Sequence, residues 1–322
     1  MTGDGGRPRD PRSAGSAAPG AGGNRPAPSL VIASFLGSLS DREQGEQGAT
    51  RSPQISVGII QYPDGGGELF GVVIGKRRPR LVESDVWESR RREFEADVYG
   101  SERADEMAEE RRAEGKERSD KECARRARCR VRRLCRQYEL NHMVTLTFPG
   151  CGIHVYDQAL RLLQDFIHDH GHSLHRGCTW LAVPELHPSG HGWHWHVLVP
   201  GRFTKDELSG LRVGWTEYLR RHGMPPSGGA LFTRIDVKRW PSAAHAATYA
   251  AKYAGKSFDG DDRQKGRKRY LIPRGVEVPV QRALAGSLDE VRAVIDQIDA
   301  TRVFESLDDD EWLGPPMVWS SW

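Results

Sequence analysis

Several familiar signatures are missing from this 322-residue chain. It has no Gly-x-x-x-x-Gly-Lys-Ser/Thr loop, which excludes a Walker-type ATPase. A His-Glu-x-x-His helix and paired cysteine ligands are also missing, and their absence argues against a zinc hydrolase. No apolar run is long enough to span a membrane, and there is no signal-peptide layout. We therefore expect a cytoplasmic protein that does not interact with membranes.

Cysteine and asparagine are both scarce. Three of the five cysteines, Cys123, Cys129 and Cys135, recur every six residues in a basic segment, which is not a zinc-ligand spacing. Without an export signal, we expect the thiols to be reduced. Asparagine occurs only at positions 24 and 141, and arginine greatly outnumbers lysine. This bias is typical of a high-GC genome and indicates a bacterial cell.

The charge balance becomes informative when it is divided along the chain. The whole sequence carries 47 Lys and Arg against 44 Asp and Glu. Residues 121–270 hold 25 basic against 13 acidic residues, a net charge of +12. Residues 1–120 hold 18 against 21, and residues 271–322 hold 4 against 10. The positive charge is therefore concentrated in the middle of the chain, which indicates a nucleic-acid partner.

Two clusters supply much of this positive charge. One lies in a predicted helix between residues 125 and 136, and the other comprises five basic residues between 263 and 269. The alternative is a solvated surface with ordinary pairing between residues four apart. Few acidic residues lie nearby in the sequence, so phosphate contact is the favoured interpretation. From the first cluster, the residues that we expect to bind DNA are Arg125, Arg126, Arg132 and Arg133.

The chain divides into four segments by composition. Residues 1–55 are rich in Gly, Pro, Ser and Ala, and we expect a disordered segment. Residues 56–120 predict an accessory hairpin followed by charged helices. Residues 121–270 form the core, and residues 271–322 are an acidic tail. Within the core, strand and helix patterns alternate, which predicts an α+β fold with an antiparallel sheet backed by helices.

A strand in the core carries two histidines. Residues 193–199 alternate in polarity, so His194 and His196 share one face of the strand. Residues 179–185 read as the preceding strand, and in an antiparallel hairpin Glu185 would lie across from His194. A carboxylate with two imidazoles suits a divalent ion that also binds a phosphate oxygen, Mg²⁺ or Mn²⁺.

Other interpretations of these histidines stay open. The segment could be a His-rich loop without a metal, or an adventitious zinc site. His187 and His191 compete as ligands, but we place them in the hairpin loop and expect them not to bind the ion.

A second chemical motif lies about sixty residues later. Read as a helix, Tyr249, Lys252, Tyr253 and Lys256 fall on one face, because residues three, four and seven apart stack. Phenols beside ammonium groups suit an enzyme that attacks phosphodiesters with tyrosine and holds the phosphate with cations. The alternative is an ordinary amphipathic helix with packed tyrosines and surface lysines.

A short β-rich run upstream contains Thr145-Leu146-Thr147 and stops at Pro-Gly. With these three elements in this order, the chain resembles rolling-circle replication initiators of the HUH endonuclease superfamily. Their first motif is a Thr-Leu-Thr-type strand, and their second is His-hydrophobe-His with an upstream Glu, matched by His194, His196 and Glu185. The middle residue here is Trp195, which is bulkier than the usual aliphatic.

The third motif of these initiators is Tyr-x-x-Lys on a helix, matched by Tyr253 and Lys256. A subset has a second tyrosine four residues earlier, where this chain has Tyr249. The resemblance spans residues 121–270 and implies an RRM-like core with the histidines on a central strand.

The resemblance also implies a mechanism. Tyr253 would attack origin DNA as a single strand, leaving a 5′-phosphotyrosine and a free 3′-OH, with Lys256 orienting the phosphate and Tyr249 available for a second transfer. Host helicase and polymerase would be partners. The alternatives are a conjugative relaxase, a tyrosine transposase, and a non-catalytic DNA-binding regulator with the same fold.

Overall fold

The computed structural model confirms the α+β class, with antiparallel sheets backed by helices. No helix among the described residues is long and apolar enough to cross a bilayer. The expectation of disorder for residues 1–26 and 46–54, and the acidic run at 308–311, fall outside the described residues. The structure describes residues 27–45, 55–74, 85–175, 177–256, 267–298, 300–306 and 317–322.

A four-stranded antiparallel sheet lies in the core segment. Its strands are β3 (His142–Leu146), β4 (Leu181–Leu186), β5 (Trp193–Val199) and β6 (Ile235–Arg239). Their order is β4-β5-β3-β6, so β6 forms one edge. Strand β5 is buried along its whole length, because it has a neighbour on each side and helices on both faces. The two histidines are therefore held on a central strand.

One face of this sheet packs against α4 (Tyr156–His175) and α5 (Lys205–Arg221). Trp195 is fully buried there and contributes to the same core as Trp215 of α5. The indole of Trp195 also donates a hydrogen bond to a backbone oxygen of α4, at 3.1 Å. The predicted capping box is present at the start of α5, where Thr204 is the N-cap residue.

The other face packs against α3 (Ser101–Gln137) and α6 (Ala243–Lys256). These two helices lie close together, and a Cβ added at Gly255 of α6 would meet the Arg128 side chain of α3 at 3.1 Å. Small side chains permit this approach, which fixes the position of α6 over the sheet. The buried alanines of α6 in this core are Ala246, Ala247, Ala250, Ala251 and Ala254.

A second, five-stranded sheet combines the two ends of the described chain. The predicted hairpin is present as β1 (Ile55–Gln61) and β2 (Gly67–Val73). The C-terminal segment supplies the other three strands, because its apolar faces pair with and cover the hairpin. The strand order is β7-β1-β2-β9-β8. The remaining elements of this layer are β7 (Gln281–Ala285), β8 (Arg302–Ser306), β9 (Met317–Ser321), α1 (Pro28–Gly45) and α7 (Leu288–Gln297).

The predicted charged helices are present as α2 (Asp85–Tyr99) and the first half of α3. Gly100 joins them with a backbone φ of 89°, a left-handed conformation that glycine adopts without strain. Arg111 forms two hydrogen bonds of 2.8 Å with the buried Glu95, which holds the two helices together. Helix α3 then continues to the sheet and links this arm to the core.

Candidate active site

The antiparallel hairpin of β4 and β5 places Glu185 directly across from His194, as the sequence predicts. A carboxylate oxygen of Glu185 lies 2.6 Å from Nε2 of His196. On the neighbouring strand β3, Thr145 pairs with His196, and its hydroxyl lies 3.0 Å from Nδ1 of the same ring. The first motif therefore contributes directly to the site, because Thr145 orients the imidazole that the second motif supplies.

His194 is the unusual member of this group. Both of its ring nitrogens are buried, and neither has a hydrogen-bond partner among the described residues. Burial, together with the nearby rings of His187 and His196, lowers the pKa of His194 to about 4. The imidazole is therefore neutral at pH 7, which is the form that binds metal ions. Buried nitrogens without partners are costly, and a ligand would relieve that cost.

The hairpin loop brings the other two histidines closer than the sequence interpretation expected. The ring centroid of His187 lies 4.7 Å from that of His194, and His191 stacks on His194 at 5.9 Å. The loop is held tightly at Gly192, where an added Cβ would lie 2.5 Å from the backbone oxygen of Ile153. All three loop and strand histidines therefore border the same space.

These residues fit a divalent ion by the chemistry of their donors. Glu185, His194 and His196 offer one carboxylate and two imidazoles, and His194 has unpartnered buried nitrogens. No group of three His, Cys, Asp or Glu side chains within the described ranges is already arranged as a metal-binding set. The identity of the ion, Mg²⁺ or Mn²⁺, stays a prediction.

The two tyrosines lie one helical turn apart on α6 and contact each other. The Tyr253 hydroxyl donates a hydrogen bond of 2.7 Å to the Tyr249 hydroxyl. The Tyr253 ring also packs on His196, with ring centroids 4.6 Å apart. Burial and the bond to Tyr249 raise the pKa of Tyr253 well above its ordinary value, so the phenol is protonated at rest. The tyrosine helix and the histidine strand thus meet at one point.

A lysine that the sequence interpretation did not select lies beside these tyrosines. The ammonium of Lys238, on edge strand β6, lies 4.5 Å from the ring centroid of Tyr249 and 5.5 Å from that of Trp240. Lys252 is exposed on α6. Lys256 is the last residue of α6, and its side chain falls outside the described part of the structure. Strand alternation would have placed Lys238 on the face of Thr145, had the register of β6 been known.

A cleft of about 790 Å³ connects these groups. It runs over the exposed face of β3 and β5, and Tyr249 and Lys238 border it. Asp236 also borders the cleft, but it forms an ion pair with Arg234 at 3.1 Å. The volume is within the range of small-molecule sites and exceeds what a single phosphate group requires. The remaining polar lining residues are Thr145, Thr147, Glu185, His187, Ser189, His191, His194, His196, Ser227 and Thr233.

The first arginine cluster has more acidic partners than the sequence indicated. Arg125 and Arg126 both form ion pairs of 2.7 Å with Glu122. Exposed pairs of this kind are weak and can exchange for phosphates, so DNA contact by these residues stays a prediction. Arg132 is exposed. Of the second cluster, positions 263 and 265 fall outside the described residues.

Arg133 lies in a different environment from its neighbours. It forms two hydrogen bonds, of 2.9 and 2.7 Å, with the buried carboxylate of Glu68 on β2. Glu68 also accepts hydrogen bonds from Tyr62 at 2.6 Å and from the Trp319 indole at 3.1 Å. This cluster joins α3 to the five-stranded sheet, which indicates a structural role for Arg133.

We expect Arg133→Met to destabilise the protein by roughly 3 kcal/mol, because it leaves the Glu68 carboxylate buried without its cation. Burial alone would raise the pKa of Glu68, but the charge and hydrogen bonds of Arg133 outweigh it and lower the pKa below the ordinary 4.5. The pair therefore stabilises the fold above pH 4.5, and this contribution is lost as the pH falls through the lowered pKa. Thermal unfolding between pH 3 and 7 would measure it. Arg132→Met is the matched control, and equal stability of the two variants at pH 7 would contradict the structural role.

The similarity to known proteins falls on the same stretch of chain. Residues 141–258 match the model of a family described as Replication-associated protein ORF2. This range contains Glu185, both histidines of β5, both tyrosines and Lys256. The match supports the coarser part of the sequence interpretation, a replication initiator. Neither the curated proteins nor the solved structures gave a match.

Proposed function

We propose that this protein initiates rolling-circle replication by nicking single-stranded origin DNA with a tyrosine nucleophile. The observation that carries the proposal is the contact between Tyr253 and His196, with the Tyr253 hydroxyl bonded to that of Tyr249. A nucleophile, a donor set for a divalent ion and a cation, Lys238, thereby border one cleft. The family match supports the replication context.

Glu185, His194 and His196 would hold the ion. When bound, it supplies a Lewis acid that polarises the scissile phosphate and stabilises developing negative charge. Thr145 keeps the His196 ring oriented through its hydrogen bond to Nδ1. The burial of the His194 ring excludes water from that side of the site. These residues therefore position the phosphate within reach of α6.

In the proposed reaction, the phenolic oxygen of Tyr253 attacks phosphorus in line with the 3′-oxygen. A bond forms between the phenolic oxygen and phosphorus, and the bond between phosphorus and the 3′-oxygen breaks. Tyr253 loses its proton, and one proton ends on the released 3′-oxygen, so no further reactant is consumed. The products are a 5′-phosphotyrosine and a 3′-OH that can prime synthesis by a host polymerase, with a host helicase opening the duplex.

Lys238 and Tyr249 assist this step. Lys238 adds positive charge beside the tyrosine pair, where the negative phosphate must approach. Lys256 is proposed to orient the phosphate, and Lys252 to contact the DNA backbone. Tyr249 accepts the hydrogen bond that holds the Tyr253 hydroxyl, and it is proposed to cut the regenerated origin in a second transfer. The freed 3′-OH would then resolve the first linkage.

The direct test is incubation of the full-length protein with single-stranded DNA from the encoding replicon and Mn²⁺. We expect one major cut site, with a nucleotide attached to Tyr253 when the complex is digested and analysed by mass spectrometry. Specific binding without any cut would instead favour the non-catalytic regulator. A cut without a covalent adduct would contradict tyrosine attack.

A further inference from the structure

We propose that one end of the cleft is a base-binding wall, in which Phe232 stacks on a nucleobase beside the scissile phosphate. The wall is the loop of residues 226–232, which precedes β6, together with residues 148–150, which follow β3. The inference rests on the proposed function, because it assigns a further part of the same DNA strand to the same cleft. It adds a binding site that neither the sequence motifs nor the family match contains.

The first observation is an exposed aromatic side chain on a well-held backbone. Phe232 borders the cleft and is 44% exposed, and its neighbour Leu231 is 75% exposed. The next residue, Thr233, is buried and donates its backbone N–H to Thr216 of α5 at 2.9 Å. The carbonyl of Leu231 accepts a bond of 3.0 Å from Arg220. Phe232 is therefore presented to solvent by anchored neighbours on both sides.

The second observation is that the two loops of the wall are joined. The backbone N–H of Gly150 donates to the Ser227 hydroxyl at 2.5 Å. The Thr147 hydroxyl donates to the backbone oxygen of Arg234 at 2.7 Å. These bonds tie the end of β3 to the start of β6 and close one end of the cleft. The apolar residues that border this end are Phe148, Pro149, Pro226, Ala230 and Phe232.

The third observation is the order of chemical groups along the cleft. By strand register, Ile235 at the apolar end lies opposite Leu146, and Lys238 lies opposite Met143. Three residues of strand separate them, a distance of about 10 Å. Thr145, which holds His196, lies between. The cleft thus runs from apolar loops, past the histidines, to an ammonium group.

This order matches the chemistry of a nucleic-acid strand, in which flat apolar base faces alternate with phosphates. A base at the apolar end would stack on Phe232 while its phosphate lay near His196 and the next phosphate near Lys238. A protein partner fits less well, because the wall is continuous with the proposed catalytic groups. Since every base has a stackable face, the wall would bind bases with little sequence preference.

The test compares two probes that share a phosphate backbone. One is a twenty-nucleotide oligothymidylate, and the other is an abasic strand of the same length. Binding to the full-length protein is measured by fluorescence anisotropy in EDTA, over a range of salt concentrations. Phe232→Ala should weaken oligothymidylate binding about tenfold at every salt concentration, within the effect of losing one stacked base. Its affinity for the abasic strand should not change.

Three further variants separate stacking from other effects. Phe232→Tyr keeps the ring and should retain the base preference, which shows that a loss in Phe232→Ala does not come from misfolding. Phe94→Ala, at a 66% exposed phenylalanine on α2, should leave both affinities unchanged. Lys238→Met should weaken both probes and reduce the log–log salt slope by about 0.7, because it removes one phosphate contact.

The outcomes also separate this inference from the proposed function. If Phe232→Ala binds oligothymidylate as tightly as the wild type, or weakens both probes equally, the base-binding wall is wrong even when the wild type cuts DNA. If the wild type cuts no DNA but Phe232→Ala loses the base preference, the wall stands and tyrosine nicking fails.

Discussion

Replacing Tyr253 by phenylalanine should reduce nicking by at least about a thousandfold and eliminate the covalent adduct, because no other atom of that side chain can attack phosphorus. The ring contact with His196 is kept by phenylalanine, so the helix and the cleft should be undisturbed. Affinity for single-stranded DNA should stay within about twofold, since a single neutral hydroxyl contributes little to binding that phosphates dominate. A gel assay of a labelled origin oligonucleotide measures the cut, and anisotropy measures the binding.

Tyr249→Phe is the matched control, because it removes the other hydroxyl of the same hydrogen bond. We expect the first nick to stay within about tenfold of the wild-type rate, the worth of one neutral hydrogen bond. The second cleavage and circle release should be blocked. If instead Tyr249→Phe eliminates the first adduct and Tyr253→Phe does not, the order of the nucleophiles is reversed. If Tyr249→Phe completes both cleavages normally, the enzyme works with one tyrosine.

Local patterns predicted the part of the site that depends on short-range geometry. Alternation along β5 placed His194 and His196 on one face, and hairpin pairing placed Glu185 opposite His194. Helical spacing placed Tyr249 and Tyr253 one turn apart. Each of these relations spans few residues or a single turn, so backbone periodicity determines it. The α+β class followed from the same alternation of strand and helix patterns.

The rest of the site depends on contacts between distant parts of the chain. Lys238 reaches Tyr249 only because β6 pairs with β3 in a particular register, and no local pattern specifies that register. Arg133 looked like its neighbours in the sequence, but the helix turns it towards Glu68, 65 residues away. The pairing of the C-terminal strands with the hairpin is likewise long-range. Composition and local spacing carry no information on such contacts.

Removing the divalent ion should have an effect comparable to losing the nucleophile. Stabilisation of phosphate charge by a metal ion is worth several kcal/mol, and each 1.4 kcal/mol is about tenfold in rate. We therefore expect EDTA, His194→Ala and His196→Ala each to reduce nicking by roughly a thousandfold or more. Calorimetry with Mn²⁺ alone should detect binding to the wild type and none to either variant, independently of any cut.

The loop histidines and a remote histidine provide the controls for this expectation. His168 lies on α4 with an 88% exposed side chain, so His168→Ala should bind Mn²⁺ and cut DNA normally. His187→Ala and His191→Ala should also retain the ion, because we assign its ligands to the strands. If His187→Ala loses Mn²⁺ while Glu185→Gln keeps it, the imidazole 4.7 Å from His194 replaces the carboxylate as the third ligand. Full cleavage in EDTA would exclude the metal site altogether, and tyrosine attack would then depend on Lys238 and the α6 lysines for charge stabilisation.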